Sequence, residues 1–247
     1  MKIKKLDVDS SVLKENIFEI IDFEKNYKDF VIKEPDFIKD KHPDYIQISI
    51  DSSKINLIHF FENLGFRFSE FKIFRSMKLD NILISKSYLY PFDCKIISNT
   101  KELKQVLSIC LDSRFDDRYS NDDHYLHEIS LKRINAFIKK SFQKKDEFLI
   151  AYFNSSTDEI IGFQTGKFIS PNHVILYMNS IISGLDEIKY REICDHLLLN
   201  WLKQEKVNII DAYSTGSNLS ELNITVKNQG FEIHSANVVL RKLYEIN

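Results

Sequence analysis

The best candidate for a metal site in this sequence is a pair of histidines with carboxylates beside them. His124 and His127 lie three residues apart, beside Asp122, Asp123 and Glu128. A spacing of three can bring two imidazoles to one face of a helix. No further ligand pair with suitable spacing follows, and acidic residues at the start of a helix are favoured by its dipole. We therefore predict a helix from about residue 122 to 142, and no metal.

A second group, Cys194, Asp195 and His196, contains the residue types of a nucleophilic relay. Consecutive helix positions point about 100° apart, so these three side chains cannot form one relay. Cys194 is instead predicted to face the core. The three cysteines of the chain are odd in number and lie far apart, which predicts free thiols in a reducing cytoplasm and not a disulfide framework.

The charge balance argues against two classes of partner. The 247 residues include 34 Lys+Arg and 36 Asp+Glu, for a net charge of −2. A near-neutral chain is a poor candidate for sequence-independent binding to nucleic acid or to an anionic membrane. No apolar run reaches the ~20 residues that span a bilayer. The opening residues, MKIKKLDVDSS, lack the apolar stretch of a secretory signal.

The elements that would position a site divide the chain into two parts. Pro91 and the lack of a helical period predict a connection over about 86–94, and hence an N-terminal α/β domain over 1–92 and a C-terminal domain over 93–247. In the first part, YIQISI alternates like a half-buried strand. Ser52 and Ser53 are placed to cap the helix that follows, and Gly65 is placed to end it.

The second part has the predicted order β-α-α-β-β-β-α-β-α-β. Asn99 and Glu102 form a capping pair at its first helix. Helix 187–204 lies between strands 174–182 and 207–213. This order predicts a mixed α/β (α+β) sheet with an antiparallel centre and at least one βαβ crossover.

Both parts contain a helix, a glycine, a phenylalanine and a strand in succession. ENLGFRF (62–68) is similar to KNQGFEI (227–233). Either this is the ordinary way for a helix to end, or the two parts are distant copies of one fold.

The order of elements in the second part resembles the GNAT acetyltransferase fold, as does the ending NLSELNITVKNQGFEI. The segment SRFDDRYSNDDHY (113–125), followed by a helix and EFLIAYF, resembles the bacterial dTDP-fucosamine acetyltransferases. LKENIF (13–18), LGF (64–66) and LLNW (198–201) are similar to that family too, so the resemblance covers most of the chain.

This resemblance implies transfer of an acetyl group from acetyl-CoA to the amine of a nucleotide-linked amino sugar. Acetyl-CoA would lie in a gap between strands 174–182 and 207–213. Backbone N–H groups of Ile181, Ile182 and Ser183 would hold the acyl carbonyl, and the start of helix 187–204 would face the pyrophosphate. Asn218 resembles the asparagine that opens the last helix in this family. Lys189, Tyr190 and Arg191 are the further cofactor candidates, and Lys189 and Arg191 would either bind the pyrophosphate by charge or be solvated residues of the helix. Arg114, Asp116 and Tyr119 are the substrate candidates, and the alternative for Arg114 and Asp116 is a local salt bridge.

The sequence departs from the GNAT pattern at two places. The pyrophosphate loop of the superfamily carries a pair of glycines, whereas only Gly184 is present here. The usual tyrosine proton donor lies four residues before the glycine of the Gly-Phe pair, and that position is Val226. Thr225 beside it is a weak acid that is expected to point elsewhere, so Tyr213 is the nearest alternative phenol.

These departures leave three functions open. The first is acetylation of a nucleotide-linked amino sugar. The second is acylation of another amine, such as a peptide, a polyamine or a small metabolite. The third is a degenerate GNAT domain that binds a ligand without catalysis. A homodimer is compatible with each of them.

Overall fold

The ten described strands form a single mixed sheet. The computed structural model describes residues 2–22, 40–79, 91–112, 119–120, 122–125, 127–184 and 187–244. Within these residues there are ten strands and six helices. The strands are β1 (Lys2–Lys5), β2 (Ile17–Ile21), β3 (Tyr45–Asp51), β4 (Arg67–Lys78), β5 (Phe92–Ile96), β6 (Glu147–Asn154), β7 (Glu159–Ser170), β8 (His173–Ile181), β9 (Ile209–Thr215) and β10 (Glu232–Leu243). The helices are α1 (Asp7–Leu13), α2 (Ile55–Asn63), α3 (Thr100–Asp112), α4 (His127–Gln143), α5 (Glu187–Gln204) and α6 (Leu219–Gln229).

The strand order confirms the predicted mixed sheet. It is β1-β2-β3-β10-β4-β9-β8-β7-β6-β5. The pairs β2/β3 and β8/β9 are parallel, and all other pairs in this order are antiparallel. The centre is therefore antiparallel, with one parallel pair on each side of it.

The two parts of the chain exchange their last strands. β4, from the first part, lies between β9 and β10 of the second, and β10 lies between β3 and β4. Each of these strands follows a helix that ends at a glycine in the left-handed region, Gly65 with φ 86° and Gly230 with φ 78°. The two Gly-Phe endings thus occupy equivalent places, which favours the interpretation of the parts as distant copies. The division near residue 92 remains a prediction.

The side chains of β6 show why both faces of the sheet are covered in the second part. Phe148, Ile150 and Tyr152 pack in a core with α5 on one face, whereas Leu149 and Ala151 pack against α3 and α4 on the other. A strand covered on both faces has a nearly continuous apolar sequence, as EFLIAYF has. In the first part, α2 packs on β2, β3 and β10.

Three local predictions are wrong. Neither Ser52 nor Ser53 caps α2: the N-cap is Lys54 without a side-chain bond, and Ser53 bonds to Asp51 instead. α4 begins at His127, five residues later than predicted, because residues 122–125 form a turn in which Asp122 accepts a bond from the His124 N–H. β5 begins at Phe92, inside the predicted connection, and residues 80–90 lie outside the described part.

The Asn99–Glu102 cap is confirmed by a bond of 2.9 Å.

In the part of the chain that the structure describes, no group of three or more His, Cys, Asp or Glu residues is arranged to hold a metal ion. None of the described helices combines the length and the apolar character needed to cross a membrane.

A chain that lacks residues 1–90 is expected not to form a stable monomer, because β9 and β10 both lose β4 as a neighbour and expose strand edges. Far-UV circular dichroism and size-exclusion chromatography measure this, and co-expression of residues 1–90 is expected to restore the fold. If the 91–247 fragment folds as a monomer, the exchange of strands is not required for folding, and the prediction is wrong.

Candidate functional site

The site begins where the two parallel strands β8 and β9 separate. They pair over four residues, from His173 opposite Ile209 to Leu176 opposite Ala212. Beyond this point β8 continues to Ile181 and β9 to Thr215 without pairing to each other. We call this V-shaped opening the fork.

A bulge in β8 lies next to the fork. Gln164 of β7 lies opposite Asn179 and Gly166 lies opposite Leu176, so β8 has one extra residue between them. The Met178 N–H donates to Thr165 Oγ1 at 3.0 Å, and the Met178 carbonyl accepts from Thr165 Oγ1 and Gln164 Nε2, both at 3.2 Å. These bonds hold the bulge against β7.

The bulge determines which backbone groups of β8 face the fork. The N–H groups of Met178 and Ile182 bond to β7, the latter to the Ile161 carbonyl at 2.9 Å. Because the N–H groups of a strand alternate in direction, those of Asn179 and Ile181 point into the fork. The prediction that the Ile182 N–H holds an acyl carbonyl is therefore wrong, since that group is bonded to β7.

The fork opens on both faces of the sheet. Ala212 and Ser214 of β9 are buried, whereas Tyr213 between them points to the opposite face and is 37% exposed. We call the face covered by α5 and α6 the helix side, and the face of Tyr213 the tyrosine side. Arg75, Asn179, Arg191, Asp195, Glu221 and Thr225 line the fork on the helix side, and Tyr177 and Tyr213 line it on the tyrosine side.

An ion pair between the two parts of the chain lies on the helix side. Arg75 of β4 donates through Nη2 to Glu221 Oε1 at 2.5 Å and through Nη1 to Thr225 Oγ1 at 2.6 Å. The Arg75 side chain is 4% exposed and the Glu221 side chain 13% exposed. Asn218 caps α6: its Oδ1 accepts from the Glu221 N–H at 3.2 Å, and its Nδ2 donates to Glu221 Oε2 at 2.8 Å. The structure thus places Asn218 beside the ion pair, as a helix cap outside the lining of the fork.

Two further polar contacts lie under α5. Arg191 Nη1 donates to Asn179 Oδ1 at 3.2 Å and so connects α5 to the bulged strand. Gln229 Nε2 donates to Asp195 Oδ2. Burial raises the pKa of the Asp195 carboxyl from 3.8 to about 6, against the opposing effect of Arg191.

Two half-exposed phenols form the tyrosine side. The Tyr213 ring lies 5.2 Å from the Phe74 ring, and Lys72 Nζ lies 4.1 Å from its centroid. Burial, and secondarily Asp211, raises the pKa of Tyr213. Burial also raises the pKa of Tyr177. Both side chains therefore keep their protons at neutral pH.

The remaining predicted cofactor residues lie outside the lining of the fork. Ile181 packs partly buried against the α5 core, and Ile182 and Ser183 are exposed. Lys189 is exposed, while the Tyr190 ring packs edge-on against Phe92 at 5.5 Å. The structure therefore brings Arg191 and Tyr213 to the fork, together with the Ile181 N–H.

Of the three predicted substrate residues, Tyr119 alone lies in the described part of the chain. Arg114 and Asp116 lie outside the described residues. Tyr119 is fully buried in a cluster with Tyr45 and Tyr125, at ring distances of 5.6 and 5.3 Å. Its ring packs in the core in this structure and has no surface for contact with a substrate.

Sequence reasoning missed Arg75, Glu221 and Asn179, and it placed Thr225 away from the site, which is wrong. Arg75 carried a signal: it occupies the position between Ile73 and Met77 in the alternation of β4, where an apolar residue is expected. A charged residue in the buried register of a strand needs a partner, and that partner is Glu221.

The raised pKa of Asp195 predicts a pH-dependent stability. Between about pH 4 and pH 6 the folded protein holds a proton at Asp195 that the unfolded chain has lost, so this group lowers the free energy of unfolding as the pH rises. Asp195→Asn removes the effect. The free energy of unfolding of the variant, measured relative to that of the wild type, should therefore rise as the pH increases through this window. The total rise should be at most about 3 kcal/mol. Urea unfolding at several pH values measures this difference, and Asp123→Asn at an exposed position is the control. A difference in the free energy of unfolding that does not change with pH would contradict the prediction.

Comparison with known proteins identifies the fold. No protein-family model matches the chain, and no curated protein matches it. A tandem GNAT protein from the clavulanic acid biosynthesis pathway is similar in structure, with a TM-score of 0.62 and 9% identity over 94% of this chain and 76% of that one.

Two further solved structures agree. A GCN5-related N-acetyltransferase from Sphaerobacter thermophilus has a TM-score of 0.64 and 11% identity, covering 94% of this chain and 75% of that one. A GCN5-related glucosamine N-acetyltransferase region of a fungal multi-domain GH3 β-N-acetylglucosaminidase has a TM-score of 0.60 and 9% identity, covering 98% of this chain and 31% of that one. At these identities the likeness concerns the fold alone. The chain has the fold of the GCN5-related N-acetyltransferases.

Proposed function

We propose that the protein is an acyl-CoA-dependent N-acyltransferase. The observation that carries this proposal is the fork, with two backbone N–H groups that point into it and a protonated phenol at its rim. Such groups match the two charges that develop in acyl transfer from a thioester, on the carbonyl oxygen and on the sulphur.

The fork fits an extended acyl carrier. The edges of its two strands do not pair with each other beyond Leu176 and Ala212, and a narrow chain such as pantetheine would lie along these edges. Acetyl-CoA, when bound, supplies the acyl group as an activated thioester. The N–H groups of Asn179 and Ile181 would donate to the acyl oxygen. Arg191 of α5 would hold Asn179 in place through its bond to the Asn179 side chain.

The chemical step requires few side chains. The amine reaches the fork uncharged, and its nitrogen attacks the carbonyl carbon. The C–N bond forms, the oxygen takes the negative charge and accepts bonds from the two N–H groups, and the C–S bond then breaks. The nitrogen gives up one proton to water, and the Tyr213 phenol donates one to the sulphur and is reprotonated from solvent.

The amine that we propose belongs to a nucleotide-linked amino sugar. This choice rests on the resemblance of residues 113–125 to the dTDP-fucosamine acetyltransferases, with Arg114 to bind a diphosphate and Asp116 to bind the amine or a hydroxyl. The similar fungal region is named for transfer to glucosamine, also an amino sugar. A peptide or another small amine is the competing acceptor.

A non-catalytic domain is the second candidate function. The observations that favour it are the single loop glycine, Gly184, and Val226 at the position where the resemblance implies a proton donor.

Calorimetric titration with acetyl-CoA, with coenzyme A for comparison, tests the proposal. We expect micromolar binding, and no binding up to about millimolar would overturn it. Thr165→Val keeps the shape of the side chain and removes the hydroxyl that holds the bulge, so it should weaken binding. Exposed Thr157→Val is the matched control.

A screen of dTDP- and UDP-linked amino sugars, peptides and polyamines by thiol release then identifies the acceptor. Turnover with a nucleotide-linked sugar supports the specific proposal. Turnover only with another amine replaces it. Binding of acetyl-CoA without turnover on any amine supports the non-catalytic alternative.

A further inference from the structure

Arg75 lies beside the apex of the fork, on β4 at the other edge of β9. In the β4/β9 pairing it is directly opposite Ala212, and Ala212 is the last residue of β9 that pairs with β8. Its side chain extends to the helix side, where it lines the fork together with Glu221 and Thr225. The first part of the chain thus supplies a cation to a site otherwise built from the second.

One of the three guanidinium nitrogens, Nε, has no hydrogen-bond partner among the described residues. Nη1 and Nη2 are bonded to Thr225 and Glu221. No described residue accepts a hydrogen bond from the Nε–H, although the side chain is only 4% exposed. A buried donor without an acceptor is costly. This donor is held rigidly by the two other bonds, so its direction is fixed before any ligand arrives.

The other groups near α6 cannot serve the sulphur. The Thr225 hydroxyl donates to the Glu221 carbonyl at 2.8 Å and accepts from Arg75, so it is occupied within the protein. Val226 has no proton to give. The Arg75 guanidinium, a permanent cation, therefore lies near Val226, the position where the resemblance implies a proton donor. Such a cation stabilises a sulphur that leaves as an anion, and it does not protonate the sulphur.

We propose that Arg75 is a catalytic residue that stabilises the leaving thiolate, by donating its Nε–H to the sulphur. This inference rests on the proposed function. When the C–S bond breaks, the sulphur leaves with the electron pair as a thiolate beside the guanidinium. Arg75 gives up no proton; the thiolate is neutralised afterwards by the Tyr213 phenol. The amine proton passes to water as before.

The charge around this position is nearly balanced. Glu221, Asp195, Arg191, Tyr177 and Tyr213 are the titratable or charged side chains that line the fork around Arg75. Glu221 offsets much of the guanidinium charge, because the two groups lie 2.5 Å apart. Removal of either charge therefore shifts the potential at the sulphur, and the two removals shift it in opposite directions.

The ionisation of bound coenzyme A tests this directly. The thiolate absorbs in the ultraviolet, so a pH titration of the complex gives the pKa of its thiol. We expect that pKa to lie about one unit below that of free coenzyme A, equal to about tenfold more thiolate at a given pH. Arg75→Gln should remove the shift, and Glu221→Gln should enlarge it.

A matched variant separates this effect from a general loss of stability. Arg241 forms a partly buried pair with Asp122, with bonds of 2.6 and 2.7 Å, and neither residue lines the fork. Arg241→Gln breaks a similar ion pair, and the pKa of the bound thiol should stay at the wild-type value.

The two proposals fail in different ways. If coenzyme A binds and its thiol titrates as it does in free solution, the role of Arg75 is overturned while the proposed function stands. If Glu221→Gln raises the pKa of the thiol, the role of Arg75 is overturned as well. If neither acetyl-CoA nor coenzyme A binds up to about millimolar, the proposed function itself fails.

Discussion

Replacing Arg75 by methionine is expected to lower the free energy of unfolding by about 3–5 kcal/mol, because it leaves the Glu221 carboxylate buried without its counter-charge. The change also removes the bond to Thr225 and the contact of the guanidinium with the Phe231 ring, 5.2 Å from its centroid. Urea denaturation monitored by far-UV circular dichroism measures the loss.

A double variant and a surface pair provide the controls. In Arg75→Met with Glu221→Met, both charges are absent and an apolar pair replaces them, so most of the loss should be recovered. Lys95→Met breaks the more exposed pair with Glu102 and should cost less than about 1 kcal/mol. Equal losses for Arg75→Met and Lys95→Met would show that the pair between the two parts of the chain is not needed for stability.

Tyr213→Phe is expected to lower kcat about 100-fold, because the phenol that protonates the sulphur is lost. The fork keeps its shape, since the ring and its contact with Phe74 remain. Binding of acetyl-CoA should therefore be unchanged. Stopped-time assays of thiol release, with the amine identified by the screen, measure kcat and KM separately.

Two other tyrosines make the result specific. Tyr244 packs against the core around α2, beside Lys242 and outside the lining of the fork, and Tyr244→Phe should retain the full rate. Tyr177 lines the same side of the fork as Tyr213. A large loss in Tyr177→Phe, with Tyr213→Phe unaffected, would assign the proton donor to Tyr177 and contradict the role of Tyr213.

The fold was accessible from the sequence because its signals are local. YIQISI alternates as β3 does, since one residue in two faces each side of a strand. Gly65 and Gly230 end their helices because each adopts the positive φ that glycine tolerates best. Asn218 begins α6 because its side chain accepts from a helix N–H that lacks a backbone partner. Helix α5 and its flanking strands follow from the same kind of pattern.

The composition of the site was decided by pairings between distant residues. Arg75 meets Glu221 across 146 positions of the sequence, because β4 inserts between β9 and β10. The direction of the Ile182 N–H depends on the bulge in β8, which in turn depends on the register with β7. Tyr119 lies in the core because two other tyrosines enclose it.

The sequence by itself thus determined the order of the helices and strands and the mixed sheet, and its resemblance to the GNAT fold implied the gap between β8 and β9. Only the tertiary structure decided which side chains line that fork, and that the first part of the chain contributes to it. The physical reason is that the periodicity of apolar residues and the capping of helices depend on residues that are close in sequence. The register of the strands and their exchange between the two parts depend on the packing of the whole sheet.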